Sequence, residues 1–111
     1  MNGIARQARV VVRSGHGDEV ARILLDAAET LAEDPGCLLY LVSRQRDEPD
    51  VLWVTELWRS HADLDRVVAA LRGDSDAAAA LALAERWEVI ELDLLGGKGP
   101  PPRGASGDGV L

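Results

Sequence analysis

Residues 37–58 read CLLYLVSRQRDEPDVLWVTELW. Two apolar runs, Cys37 to Arg44 and Val51 to Trp58, enclose the charged turn QRDEPD, and this arrangement predicts an antiparallel hairpin. Side chains alternate along a strand. In the second run Val51, Trp53, Thr55 and Leu57 therefore share one side, and Leu52, Val54, Glu56 and Trp58 the other. The two tryptophans are expected to face opposite ways. The first run is apolar on both alternations, with Leu38, Tyr40 and Val42 on one face and Cys37, Leu39 and Leu41 on the other. A strand of that kind needs cover on both faces.

On the N-terminal side, Ala8 to Arg13 (ARVVVR) is rich in β-branched valine and ends at the turn-forming SGHG, which predicts a first strand. From Asp18 to Glu33, Val20, Ile23, Leu24, Ala27, Ala28 and Leu31 recur with the period of one helix face. Asp18 is the expected N-cap and Pro35-Gly36 the stop. Beyond the hairpin, Ser60 to Asp63 (SHAD) has the form of a capping box. Leu64, Val67, Val68 and Leu71 then mark a helix face, and Gly73 is placed to close it. The alanine-rich stretch Asp74 to Glu85 predicts a short third helix, and Arg86 to Leu95 a fourth strand.

The order strand, helix, strand, strand, helices, strand is the split β-α-β-β-α-β pattern of an α+β, ferredoxin-like fold: a four-stranded antiparallel sheet with helices on one face. The chain offers nothing for the second face. A homodimer with two sheets meeting face to face, a dimeric α+β barrel, is the expected solution. Residues 1–95 are read as one domain. Residues 96–111 (GGKGPPPRGASGDGVL) are dominated by Gly and Pro and are read as a flexible tail.

The bulk composition narrows the function classes. A chain of 111 residues, 47% hydrophobic and 28% charged, suits a single globular domain with its own core. No apolar run is long enough to span a bilayer, and the N-terminus lacks a signal-peptide pattern, so a cytoplasmic protein without membrane contact is expected. A net charge of −7 opposes binding to nucleic acid. The single cysteine, Cys37, reads as a small buried hydrophobe, and no His/Cys/Asp/Glu grouping has metal-ligand spacing, so neither a metal site nor a cofactor is expected. Neither GHGDEV at Gly15 to Val20 nor GGKG at Gly96 to Gly99 completes a nucleotide-binding loop.

The segments GCLLYLVSR and VLWVTELWRSHADL, together with the element order over about residues 8 to 95, resemble the antibiotic biosynthesis monooxygenase family of dimeric α+β barrels. That family includes cofactor-free quinol and anthrone oxygenases and related heme-degrading enzymes. The most recognisable piece is Glu56-Leu57-Trp58-Arg59-Ser60, a strand-ending Glu-x-Trp before a polar helix start. The resemblance implies that Trp58 lines the pocket. It also exposes two departures. The stretch Arg66 to Val68 has no histidine where the heme-degrading members carry one, and the only asparagine is Asn2, before the first strand.

The function expected on this resemblance is cofactor-independent monooxygenation of a small aromatic substrate such as a quinol or anthrone, and the alternative is a non-catalytic barrel for ligand binding or assembly. The substrate itself must supply the electrons, so the protein must desolvate an aromatic ring, steady a developing oxyanion and exclude water. Trp58 is the expected stacking wall and possible N–H donor, and His61 the expected base. Tyr40, Arg44, Arg59 and Arg86 are expected substrate contacts. The competing readings are a core ring for Trp58, an exposed first-turn residue for His61, and solvated or salt-bridged arginines.

Overall fold

In the computed structural model, which describes residues 3–99, seven elements follow one another: β1 (Ile4–Val12), α1 (Gly17–Leu31), β2 (Cys37–Arg44), β3 (Val51–Trp58), α2 (His61–Leu71), α3 (Ser75–Leu83) and β4 (Ala84–Asp93). The four strands form one antiparallel sheet in the order β2-β3-β1-β4. The ferredoxin-like α+β architecture expected from the element order is present, with all three helices on one face. The expected tail falls mostly on residues 100–111, outside the described residues.

The core follows from the strand alternation. Ala8, Val10 and Val12 of β1 and Leu52 and Val54 of β3 point to the helix side and bury against Val20 and Leu24 of α1 and Ala80 of α3. Each fully buried valine or leucine in this cluster contributes about 1.5–3 kcal/mol. A second cluster lies nearer the start of α2 and is built from Cys37, Trp58, Leu64 and Val67. Among the described residues nothing covers the opposite face of the sheet. Leu41 is 52% exposed, Ile90 61% and Leu92 45%.

Three local expectations change. The alternation assumed for β2 is broken by a bulge between Cys37 and Leu39: Cys37 lies opposite Trp58 and Leu39 opposite Leu57, so Leu38 has no partner. Cys37 therefore joins Tyr40 and Val42 on the helix side, and Leu38 turns out to solvent. The second change is at the start of α1. Asp18 is not the cap; it lies inside the first turn and pairs with Arg44 at 2.7 Å. Asp50, from the β2–β3 loop, accepts from the Gly17 N–H at 2.9 Å and the Gly15 N–H at 3.1 Å. A side chain distant in sequence thus satisfies the first orphan donor of this helix and an N–H of the turn before it. Third, β1 and β4 begin earlier than the alternation predicted, because each pairs along nearly its whole length with a neighbour.

The start of α2 is close to expectation. The Ser60 hydroxyl accepts from the Asp63 N–H at 3.2 Å and donates to the Asp63 carboxylate at 2.7 Å, so Asp63 returns to the serine side chain. Gly73, at φ +89, ends α2 in the left-handed region that only glycine adopts without strain.

Candidate active site

A cleft of about 860 Å³ opens between the helix-bearing face of the sheet and the three helices. Its floor carries Ala8 of β1, Tyr40 of β2, Val54, Glu56 and Trp58 of β3, and Trp87 of β4. Leu24 and Ala27 of α1 face Leu64, Val67 and Leu71 of α2 across it, which makes the walls largely aliphatic. The volume suits a small polycyclic molecule.

The two tryptophans face opposite ways, as the alternation predicts; Trp58 is the one on the helix side, where it sits in the floor and is 1% exposed. Its indole N–H donates to Glu56 Oε1 at 2.8 Å. The donor expected to be free for a substrate oxygen is therefore engaged within the strand. Trp53 faces the opposite side and donates to the Gln45 side chain at 3.0 Å.

Glu56 is the residue that sequence reasoning passed over. It is 6% exposed, and the register places Arg6 of β1 on one side of it and Tyr40 of β2 on the other. Arg6 Nη1 lies 3.8 Å from Glu56 Oε1, which is an ion pair without a hydrogen bond. The Arg6 Nε is buried and has no hydrogen-bond partner among the described residues. Burial raises the pKa of Glu56 above the ordinary carboxylate value, against the Trp58 hydrogen bond and the Arg6 charge, which favour the anion. Burial, with a smaller contribution from the Glu56 charge, pushes the Tyr40 hydroxyl up to about 12. Cys37 is raised to about 11 by the same desolvation, which makes it an inert thiol. A signal for Glu56 was present: the two-residue spacing to Trp58 puts both on one face. Arg6 had no such signal, because only strand pairing brings it alongside.

His61 is the first residue of α2, and 56% of its side chain is exposed. It borders a second, shallower groove of about 440 Å³ with Arg6, Leu64, Asp65, Val68, Val89 and Glu91. Its Nδ1 lies 3.1 Å from Asp65, and its Nε2 3.6 Å from Glu91. The hydrogen bond to Asp65 raises its pKa, and the charge on Glu91 acts in the same direction.

The expected arginine contacts do not gather at the cleft. Arg44 pairs with Asp18 at the surface. Arg59 makes a two-pronged bond to Asp63, at 3.0 Å on each oxygen. Arg86 is opposite Val11 on the uncovered face, beside Glu88. Arg66, by contrast, borders the cleft and is held by both oxygens of Asp34 at 2.8 and 2.9 Å. Among the described residues, no group of His, Cys, Asp and Glu is arranged to hold a metal ion. No helix of the described residues is long and apolar enough to cross a membrane.

Comparison with known proteins agrees with this geometry. A protein from Chloroflexus aurantiacus assigned to the antibiotic biosynthesis monooxygenases is 25% identical; the alignment covers 88% of this chain and 98% of that one, with a TM-score of 0.76. A Caulobacter crescentus protein with the same assignment is 28% identical over 86% of this chain and 92% of its own, with a TM-score of 0.69. A variant of SnoaB, a cofactor-independent oxygenase from Streptomyces nogalater, is 21% identical over 87% and 97%, with a TM-score of 0.76, a likeness of fold. A search of the curated proteins finds no match. The sequence pattern of the antibiotic biosynthesis monooxygenases matches residues 3–71, from β1 to the end of α2, and so takes in Arg6, Tyr40, Glu56 and Trp58. The chain belongs to the antibiotic biosynthesis monooxygenase family.

Proposed function

We propose that the chain is a cofactor-independent monooxygenase of small electron-rich aromatic compounds, phenols, quinols or anthrones, and that it works as a homodimer. The observation that carries this reading is the cleft itself. It is large enough for two or three fused rings, its walls are aliphatic, and polar groups converge at one point of its floor. Membership of a monooxygenase family supports this reaction class. The likeness to SnoaB adds a precedent for such chemistry on this fold.

In the overall reaction an anthrone methylene and one dioxygen become a carbonyl and one water; the substrate supplies all the electrons that reduce dioxygen. The protein's share is to hold the ring, keep bulk water away and favour the anionic form of the substrate. Trp58 and Tyr40 bound the floor on which the ring would lie. His61 lines the shallower groove with Leu64 and Val68 of α2 and is not among the residues of this floor. The uncovered sheet face, with Leu41, Ile90 and Leu92 exposed, supports the dimer.

The test is oxygen uptake by metal-stripped protein with a panel of reduced naphthoquinols and anthrones, beside a Trp58→Phe variant checked for fold. The expected result is uptake above the spontaneous rate with at least one compound, falling about tenfold or more in the variant. No uptake with any compound, from protein that binds them, would replace this reading with that of a non-catalytic binding barrel.

A further inference from the structure

We propose that Glu56 and Arg6 act together at the cleft floor, Glu56 taking the proton from a ring hydroxyl of the substrate and Arg6 holding the oxyanion left behind, so that the cleft selects aromatic compounds carrying an acidic hydroxyl. This rests on the oxygenase reading and names the chemistry of its substrate.

The geometry carries the proposal. Glu56 is on the central strand β3, and Oε1 is committed to the Trp58 N–H. Its other oxygen, Oε2, accepts no hydrogen bond from a described residue. Beside it, Arg6 has an Nε–H buried without an acceptor, and its Nη1 is too far from Glu56 for a hydrogen bond. Leaving such a donor unsatisfied is costly, and more so for a charged group. An unpaired carboxylate oxygen beside a guanidinium that keeps an unsatisfied N–H, at one point of an aliphatic cleft, is complementary to a hydroxyl. The hydroxyl hydrogen can point to Oε2 while its oxygen accepts from Arg6.

Proton transfer then breaks the substrate O–H bond and forms a carboxyl O–H on Glu56. The negative charge moves from the carboxylate to the ring oxygen, and both positions face the same Arg6 cation. No additional charge is buried, so the low-dielectric site does not oppose the step. The aryloxide is the form that gives up electrons to dioxygen, and the proton taken up leaves in the water that is formed.

The groups packed around Glu56 leave it as the base. Tyr40 and Cys37 from β2 are both held protonated by burial. From β4, Glu91 is the partner of Arg6 in register, on the far side from Glu56. From the helices, Asp26 of α1 and the Asp34–Arg66 pair border the cleft. Burial makes the Glu56 carboxylate a stronger base than an exposed one.

The experiment is a spectroscopic binding titration with 4-nitrophenol, 4-nitro-1-naphthol and alizarin, probes of one, two and three rings whose visible spectra separate phenol from phenolate. Each is added below its solution pKa to the wild-type protein, to Glu56→Gln and to Arg6→Gln. The wild-type protein is expected to bind at least one probe as phenolate. Glu56→Gln should bind that probe as the phenol, Arg6→Gln should bind the phenolate about tenfold more weakly or worse, and oxygenation by Glu56→Gln should fall about a hundredfold. Probe bound by the wild-type protein as phenol, or by Glu56→Gln as phenolate, would overturn the pair and leave the oxygenase cleft standing. Failure of the wild-type protein to bind any of the three would remove the cleft reading and this assignment with it. The wild-type spectrum is decisive even if a variant does not fold.

Discussion

Trp58 and Glu56 are joined across two residues of one strand: the indole N–H and the carboxylate share the helix side of β3 at 2.8 Å, and both side chains are almost fully buried. The ring is thus an anchor for a buried acid. Trp58→Ala removes a ring from a packed cluster and is expected to cost about 3–5 kcal/mol, with Trp58→Phe costing less. Urea unfolding of the two variants checks this, and equal losses would show that the ring volume is not what the cluster needs.

The stability of the protein should carry a pH signature from Glu56. A carboxyl whose folded pKa lies above its unfolded value contributes stability that is complete below the unfolded value and is lost as pH rises through the folded one. Glu56→Gln should therefore gain on the wild-type protein as pH rises from about 4 toward neutrality. Thermal unfolding of both proteins across that range gives the answer; a constant difference in Tm would contradict a raised pKa.

Asp63 should give the opposite signature. Hydrogen bonds from Arg59 and Ser60 hold its carboxyl down at about 2. Its contribution is present above the ordinary carboxylate value and is lost as pH falls toward 2. Asp63→Asn should be least harmful in strong acid. Ser60→Ala, which removes the N-cap acceptor of α2, should cost about 1 kcal/mol at neutral pH. Denaturant titrations at neutral and acid pH test both statements.

The uncovered sheet face predicts the assembly state. Leu41 on β2 and Leu92 on β4 project from that face, and a glutamate at each would place charge in a face-to-face seam. Light scattering should give twice the chain mass for the wild-type protein and a single chain for the Leu41→Glu, Leu92→Glu variant. A wild-type monomer at micromolar concentration would overturn the dimer.

Much of this architecture is legible in the sequence because two periods govern it. The alternation in Val51 to Trp58 puts the two tryptophans on opposite sides, and the Ser60-to-Asp63 pattern locates the start of α2. Neither period reports what other elements contribute. The bulge at Leu38 has no glycine to announce it, so the faces of β2 were misjudged at Cys37. The arginine that completes the polar floor is fifty positions from Glu56, and only the β1–β3 register places the two together. The charge pairs that hold Arg44 and Arg59 at the surface likewise depend on packing. Asp18 looked like a helix cap because the pattern is local, whereas the acceptor that serves α1 comes from the hairpin loop.

That last contact has a kinetic meaning. The N-terminus of α1 has no side-chain cap from its own flank, so the first turn depends on Asp50, which is in place only after the β2–β3 loop has formed. Amides at the start of this helix should lose protection against hydrogen exchange together with the hairpin, as one cooperative unit. A change in the length of the 45–50 loop would be felt at the first turn of α1, whose Gly17 lies 33 positions before Asp50. Helix and hairpin are in this sense a single folding module, closed by a contact between its first turn and its far loop.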